Sequence, residues 1–335
     1  MNLRSAAPLL GARLGARHAP VSIGFELTHK CNLACAYCDR HTPRADELPV
    51  ATLFSVLDDL CAMGMRTISL DGGEPLTHTA IDEVVARLVD HGVRVNMNSN
   101  GLLVPRQRET VRKLSKLKVS LDGPQAIHDA VRGGGAYTRA LRGIVVAREL
   151  GVPVELTCVV GLHNVDSIDD LIDLGRHLGL RIVFQPERPG LFNDIGNVTV
   201  AGVSEIRRAF ARIESHKQSG GVVANRWASL RHFRSYPRDK WLPCAAGRIN
   251  ATLDPYGFLY PCGQSPRVGT GVSVVRHGVP GAFARLERAG CAQCWCARVV
   301  EENYAWGGKF SAFLPPSAHG EKTPTLWRRV LESVW

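Results

Sequence analysis

The chain has 335 residues, of which 45% are hydrophobic and 21% charged, a composition that excludes a largely disordered protein. No run approaches the roughly 18 apolar residues that a membrane span requires, so no membrane partner is expected. The chain has 41 lysine and arginine residues and 31 acidic residues, which gives a net charge of +10. This excess favours an anionic partner. Because the sequence has no lysine- or arginine-rich block, nucleic acid is not the expected partner.

Strands and helices alternate from residue 21 to residue 187. Strands are predicted at 21–27, 66–73, 93–101, 118–123, 152–161 and 180–187, and helices at 49–64, 79–92, 108–117, 136–150 and 167–179. Nearly apolar strands that alternate with helices predict a parallel sheet with right-handed crossovers. The fold class is therefore α/β, and six units predict a partial (β/α)6 barrel similar to a TIM barrel, with a doubly wound sheet as the alternative. In both, functional groups gather at the C-terminal ends of the strands.

The two ends of the chain lack this alternation. Residues 1–20 are interpreted as an N-terminal arm and residues 21–205 as the barrel. Residues 206–240 are a linker region that continues a helix predicted at 204–216. Residues 241–335 are rich in cysteine, glycine and proline and predict a small auxiliary domain, with a hairpin at 248–262 and a closing helix at 325–335.

The chain contains ten cysteines and shows no secretory signal. Its first twenty residues are basic but lack a continuous apolar stretch before a cleavage site, and a mitochondrial presequence is the alternative to a simple arm. The expected location is the cytoplasm. Cysteines stay reduced there, and they more often bind metal or take part in chemistry than form disulfides.

Cys31, Cys35 and Cys38 follow the first strand with the spacing Cys-x3-Cys-x2-Cys. Three thiolates this close together suit a soft metal centre. Zinc sites favour two separated cysteine pairs, and an iron–sulfur cube normally takes four cysteines. Three cysteines would leave one iron with an open position that a substrate or cofactor can fill, and a structural zinc site is the alternative.

With this triplet, and with Tyr37 just before its last cysteine, the sequence resembles the radical S-adenosylmethionine (SAM) superfamily. Four further motifs follow the next strands in the order found in that family: Gly72-Gly73-Glu74-Pro75, Asn98-Ser99-Asn100-Gly101, Ser120-Leu121-Asp122-Gly123 and His128-Asp129-x2-Arg132. The resemblance spans about residues 21–190. It implies a [4Fe–4S] cluster on the three cysteines and SAM on the open iron. Reductive cleavage of SAM would give a 5′-deoxyadenosyl radical that abstracts hydrogen from the substrate.

The resemblance also implies which residues contact SAM. These are Gly72, Gly73, Glu74, Pro75, Asn98, Ser99, Asn100, Ser120, Asp122 and Arg132. Backbone oxygens of the glycine loop can accept hydrogen bonds from the ammonium group of SAM, and Arg132 can pair with its carboxylate. Turn and capping roles are the alternative for the polar strand-end groups, and a solvated position is the alternative for Arg132. The electron is expected from an external donor such as flavodoxin or ferredoxin.

A second cysteine group, Cys244, Cys262, Cys291 and Cys294, resembles the twitch half of a SPASM/twitch extension. This resemblance implies an auxiliary [4Fe–4S] cluster, and a zinc knuckle is the alternative. Cys296 either replaces Cys294 as a ligand or is a thiol that binds no cluster. Cys296 and Cys158, in the fifth strand, are candidate hydrogen-atom donors to a substrate radical, whereas loss of an electron to the auxiliary cluster would mean dehydrogenation.

The substrate is the least determined feature. Gln185, Glu187 and Arg188 at the end of the sixth strand are candidates to face it. The favoured substrate is a small polar metabolite of the aminosugar, nucleoside or nucleotide type, which would be oxidised, epimerised or rearranged in natural-product or cofactor biosynthesis. The alternative is a ribosomal peptide that is crosslinked, epimerised or oxidised; the short arm disfavours it, because such maturases often begin with a leader-binding domain. A non-catalytic metal protein that binds nucleic acid would have no use for the glycine motif beside the cysteine triplet.

Overall fold

The computed structural model describes residues 19–38, 41, 45–187, 199–237, 242, 244–263, 271–287 and 294–306. Four of the sequence predictions lie outside these residues: Cys291, Arg188, most of the N-terminal arm and the closing helix at 325–335. Within them, no helix is both long enough and apolar enough to cross a membrane.

The predicted partial barrel is confirmed. Its six parallel strands are β1 (Ser22–Thr28), β2 (Thr67–Gly72), β3 (Arg94–Ser99), β4 (Lys116–Ser120), β5 (Val154–Val160) and β6 (Arg181–Pro186), each paired with the next. The helices between them are α1 (Val50–Ala62), α2 (Ile81–Asp90), α3 (Arg108–Arg112), α4 (Gln125–Arg132), α5 (Ala136–Glu149) and α6 (Ile168–Leu178). The sheet is open, since β6 does not pair with β1.

The two faces of the sheet differ in polarity. In β3, Val95 and Met97 are fully buried, whereas Asn96 and Asn98, which alternate with them, are only half-buried. Because side chains alternate across a strand, the apolar set packs against the helices and the polar set points into the barrel. The expectation of nearly apolar strands is wrong for this inner face, because the inner face lines a cavity instead of a packed core.

Helix α3 is shorter than predicted. The sequence predicts a helix at 108–117, but α3 ends at Arg112, and Lys116 and Leu117 already belong to β4. Leu117 pairs with Met97 on one side and with Val154 on the other, so strand pairing overrides local helix propensity here. Helix α4 was not predicted as an element.

The C-terminal part extends the same sheet. After α7 (Val203–Gln218) and α8 (Trp227–Phe233), it contains β7 (Asn250–Leu253), β8 (Phe258–Tyr260), β9 (Val272–Ser273), α9 (Val274–Ala284) and α10 (Ala297–Trp306). The predicted hairpin is β7–β8, closed by a turn in which Gly257 has φ +83°. β7 pairs in parallel with β1, so one sheet runs β6-β5-β4-β3-β2-β1-β7-β8-β9. The division at residue 241 stays a prediction.

Candidate active site

A cavity of about 290 Å³ lies inside the barrel. Its upper wall is formed at the C-terminal ends of the strands by the following residues: Cys31, Cys35, Cys38, Gly72, Gly73, Asn98, Ser99, Asn100, Ser120 and Arg132. Its floor includes Thr252, Gly263, Cys296 and Arg298 from the C-terminal part. The cavity therefore brings together most of the predicted SAM contacts and all three cysteines of the first group.

The loop after β1 holds the first cysteine group. The Ala36 N–H donates to the carbonyl of Val131 at 2.8 Å, and the Cys38 N–H donates to the carbonyl of Cys35 at 3.0 Å. These bonds fix the loop against α4. Burial raises the pKa of the Cys31 thiol to about 11, so a metal is needed to hold it as a thiolate at neutral pH.

The first cysteine group provides three thiols as candidate metal ligands. Among the described residues, no group of three or more Cys, His, Asp or Glu side chains is arranged to hold a single metal ion. In an iron–sulfur cube each thiolate binds a different iron atom, so the ligands stand further apart than around one ion. Cys31, Cys35 and Cys38 share one cavity wall, an arrangement that suits a cube bound by three cysteines.

The glycine loop after β2 is fastened to the chain that precedes Cys31. Gly72 has φ +112°, and a Cβ atom there would lie 2.4 Å from the carbonyl oxygen of Thr28, so only glycine fits. The Gly73 N–H donates to that same oxygen at 2.7 Å, and the Glu74 N–H donates to the carbonyl of Lys30 at 2.9 Å. The glycine loop is thus bonded to the residues that lead directly into Cys31.

Glu74 lies behind the cavity wall. Its fully buried carboxylate accepts hydrogen bonds from the Ser99 hydroxyl at 2.9 Å, the Asn100 N–H at 2.8 Å and the Leu76 N–H at 3.2 Å. Burial raises its pKa to about 7, although these hydrogen bonds oppose the shift. Through these hydrogen bonds Glu74 connects the loop after β2 with the loop after β3. Pro75, the next residue, begins a 3-10 turn.

Asn100 joins a third loop to the first cysteine loop. Its side-chain amide donates to the Asn32 side-chain oxygen at 2.7 Å. Asn98, Ser99, Asn100 and Ser120 all reach the cavity. Hydrogen bonds therefore join the loops after β1, β2 and β3 to one another.

Asp122, Arg132 and Tyr37 form a buried network beside Cys35. Asp122 accepts from Arg132 Nε at 2.6 Å and from the Tyr37 hydroxyl at 2.9 Å. Burial alone would raise the pKa of Asp122, but the charge and hydrogen bond of Arg132 outweigh it and hold that pKa below its usual value. Arg132 Nη1 lies 3.9 Å from the Cys35 sulfur. Asp122 thus orients Arg132 from outside the cavity wall, and Arg132 is the member of the pair that reaches the cavity.

Cys158 is fully buried in the core that the barrel shares with its helices. It lines the cavity together with its neighbours Thr157 and Val159. Its sulfur receives a hydrogen bond from the Asn164 amide at 3.4 Å, and burial raises the pKa of the thiol well above its usual value. The role of Cys158 as a hydrogen-atom donor stays a prediction.

Glu187 and Gln185 lie at the end of β6, where the sequence places candidate substrate contacts. Glu187 is 5% exposed. Its Oε1 atom accepts from the Thr199 hydroxyl at 2.6 Å, while its Oε2 atom is buried without a partner in the described structure. Burial raises its pKa. Glu187 is among the residues that line the cavity, but its Oε2 atom is buried against Gly161, whereas the Gln185 side-chain oxygen accepts from the Ala297 N–H at 3.0 Å.

The second cysteine group lies at the opposite end of β1. Cys244, Cys262, Cys294 and Cys296 pack around Ala246 and Val299. Asn250 pairs with Ser22, where β1 begins, and Cys262 lies two residues beyond the end of β8. Four thiols in one small cluster suit an iron–sulfur site, and Cys296 is the one of these four that reaches the cavity.

Sequence reasoning missed Arg298, which fills the cavity floor. A signal for it exists in β1, where Gly24 interrupts a strand, because an isolated strand glycine often marks a close approach by another group. A Cβ atom on Gly24 would lie 2.3 Å from Arg298 Nη2. The partner of that glycine is 274 residues further along the chain, so the sequence alone does not reveal it.

Residues 25–175 match the profile of the radical SAM superfamily. These residues form a radical SAM domain. The match confirms the family predicted from the cysteine triplet and the glycine motif, and with it the [4Fe–4S] cluster and SAM as cofactors. The auxiliary cluster predicted for the second cysteine group fits this radical SAM assignment.

Two of the relatives of known function differ in how much of this chain they match. The AdoMet-dependent heme synthase of Methanosarcina barkeri is 35% identical over 170 residues, 48% of this chain and 49% of that protein. The mycofactocin maturase MftC of Mycobacterium ulcerans is 27% identical over 267 residues, 73% of this chain and 68% of that protein. This radical SAM chain thus spans about half the length of the heme synthase and about two thirds of the maturase.

Among solved structures, Streptococcus suis SuiB bound to its precursor peptide SuiA shares the fold with a TM-score of 0.63 and 16% identity. The structural match covers 91% of this chain and 69% of the SuiB chain.

Proposed function

We propose that this radical SAM enzyme modifies a ribosomally made peptide. The observation that carries the proposal is the extent of the maturase match, because 267 aligned residues reach well beyond the barrel region matched by the family profile. The heme synthase match spans only 170 residues. The comparisons therefore favour the alternative function of the sequence analysis over the small-metabolite reading.

The chain's own residues would bind and orient the cofactors. Cys31, Cys35 and Cys38 would hold the cluster, while the glycine loop, Asn98, Ser99, Asn100, Ser120 and Arg132 would contact SAM, with Glu74, Pro75 and Asp122 supporting them from behind. When bound and reduced, the cluster and SAM supply a carbon radical that removes a hydrogen atom from the substrate. An external flavodoxin or ferredoxin would deliver the electron.

A substrate side chain would lie between the upper wall and the floor. Glu187, at the end of β6, would be one of the residues beside it. The Cys296 thiol lies at the floor and would donate a hydrogen atom to the substrate radical in an epimerisation. The thiyl radical left on Cys296 would return to the thiol by taking one electron from the external donor and one proton. An oxidation or crosslink would instead pass an electron to the auxiliary cluster. The outcome for the substrate radical thus depends on the floor of the cavity.

Deuterium transfer tests the substrate class. The reconstituted, reduced enzyme is incubated with fully deuterated short peptides encoded next to its gene and, separately, with deuterated aminosugars and nucleosides. We expect deuterium in 5′-deoxyadenosine only with a peptide, together with a change in the peptide's mass. Transfer from an aminosugar or a nucleoside, and from no peptide, would show that the proposal is wrong.

The roles of Cys294 and Cys296 are distinguished by iron content. We propose Cys244, Cys262, Cys291 and Cys294 as the auxiliary ligands, because Cys296 is turned to the cavity. Cys294→Ala is expected to lose about four of about eight iron atoms, one cluster's worth, whereas Cys296→Ala keeps them all. The reverse pattern would make Cys296 the ligand.

A further inference from the structure

Arg298 is a buried cation at the cavity floor. It lies in the first turn of α10, and its side chain is 14% exposed. Nη2 donates to the Thr252 hydroxyl at 2.9 Å, and Nη1 donates to Glu302 Oε2 at 3.1 Å. The guanidinium is thus held on two sides, by a neutral group and by a carboxylate.

The surrounding backbone leaves room for this guanidinium beside the second cysteine group. At position 24 in β1, a Cβ atom would lie 2.3 Å from Arg298 Nη2. Gly24 has no Cβ atom, so it leaves space for the guanidinium. At Gly263, which follows Cys262 directly, a Cβ atom would lie 3.9 Å from the same nitrogen. Arg298 therefore occupies the gap between the start of β1 and the Cys262 loop.

Acidic and thiol groups surround the guanidinium. Burial alone would lower the pKa of Arg298, but Glu302, the Cys296 thiol, Asp71 and the Cys262 thiol together raise it further above its already high value. Glu302 is itself fixed by the Ser22 hydroxyl at 2.9 Å and by the Asn250 amide at 3.1 Å. The floor thus holds one permanent positive charge and one carboxylate at fixed places.

We propose that the Arg298–Glu302 pair sets the reduction potential of an auxiliary iron–sulfur cluster bound by the neighbouring cysteines. A cluster held by four thiolates becomes more negative when it is reduced, and a nearby charge acts strongly where water is excluded. Arg298 stabilises the reduced state and Glu302 opposes it. An arginine suits this role because it stays protonated when buried. The inference rests on the auxiliary cluster of the proposed function.

The test is an anaerobic redox titration of the reconstituted full-length enzyme, followed by electron paramagnetic resonance. The Cys31→Ala variant identifies which signal belongs to the auxiliary cluster. Arg298→Gln is expected to shift the reduction equilibrium at least about tenfold toward the oxidised cluster, which corresponds to a potential about 59 mV lower for one electron. Glu302→Gln, which removes the opposing charge, is expected to shift the potential upward by a similar amount.

Two matched variants separate charge from packing. Arg298→Lys keeps the positive charge and is expected to stay near the wild-type potential. The double variant R298Q/E302Q keeps the pair neutral and is expected to lie between the two single variants. Potentials that stay equal, or that move in the same direction in both single variants, would overturn this proposal alone. A wild-type enzyme with only about four irons would overturn the auxiliary cluster and this proposal together.

Discussion

Replacing Cys31 by alanine is expected to abolish reductive cleavage of SAM while leaving the auxiliary cluster in place. Cys31 is one of three thiols on the upper cavity wall, and two thiolates cannot hold a cube that normally takes four ligands. Iron should fall from about eight to about four atoms per chain, and 5′-deoxyadenosine formation should fall to the level without enzyme.

Cys61→Ala is the matched control for this variant. Cys61 is a half-buried cysteine in α1 that packs against the core and takes no part in the cavity. Its replacement is expected to keep all iron and full SAM cleavage. If Cys31→Ala still cleaved SAM, or if it lost the iron of both sites, the assignment of the first cysteine group would be wrong.

Asp122→Asn is expected to have the largest effect on stability. The wild-type carboxylate is fully buried and accepts hydrogen bonds from Arg132, Tyr37 and the Val159 N–H. The amide would leave the Arg132 charge buried without its counterion, a loss of about 3–5 kcal/mol of unfolding free energy. The midpoint of chemical unfolding, compared at equal cluster content, measures the loss.

Asp58→Asn provides the comparison at the surface. Asp58 also pairs with an arginine, Arg87, but both side chains are more than a third exposed. Solvent screens such a pair, so the same change of one atom should shift the unfolding midpoint much less. Equal shifts for the two variants would contradict a buried, charged Asp122–Arg132 pair.

Local signals in the sequence were enough to predict the barrel. In α1, Leu53, Leu57 and Leu60 recur at helical spacing and are all buried, and turns follow the helices at Gly64 and Gly92, both with positive φ. The first cysteine group and the glycine loop were likewise readable, because each lies within a few residues of a strand end.

Features that depend on distant pairing were not predictable. β7 joins the sheet beside β1, with Ser22 opposite Asn250, and no local pattern specifies a partner so far away in the chain. The connection formed by Glu74 depends on Ser99 and Asn100, two residues of another loop. Arg298 lies beside Gly24 for the same reason. Sequence patterns identify what a segment forms, whereas such contacts follow only from how the segments assemble.

The position of the two cysteine groups at opposite ends of β1 has a consequence for electron flow. A strand is an almost fully stretched chain, rising about 3.3 Å per residue, so it acts as a spacer that thermal motion neither shortens nor lengthens. The seven residues of β1 would therefore keep clusters bound by the two cysteine groups at a constant separation. A substrate seated in the cavity would then lie between the site that generates its radical and the site that can accept its electron.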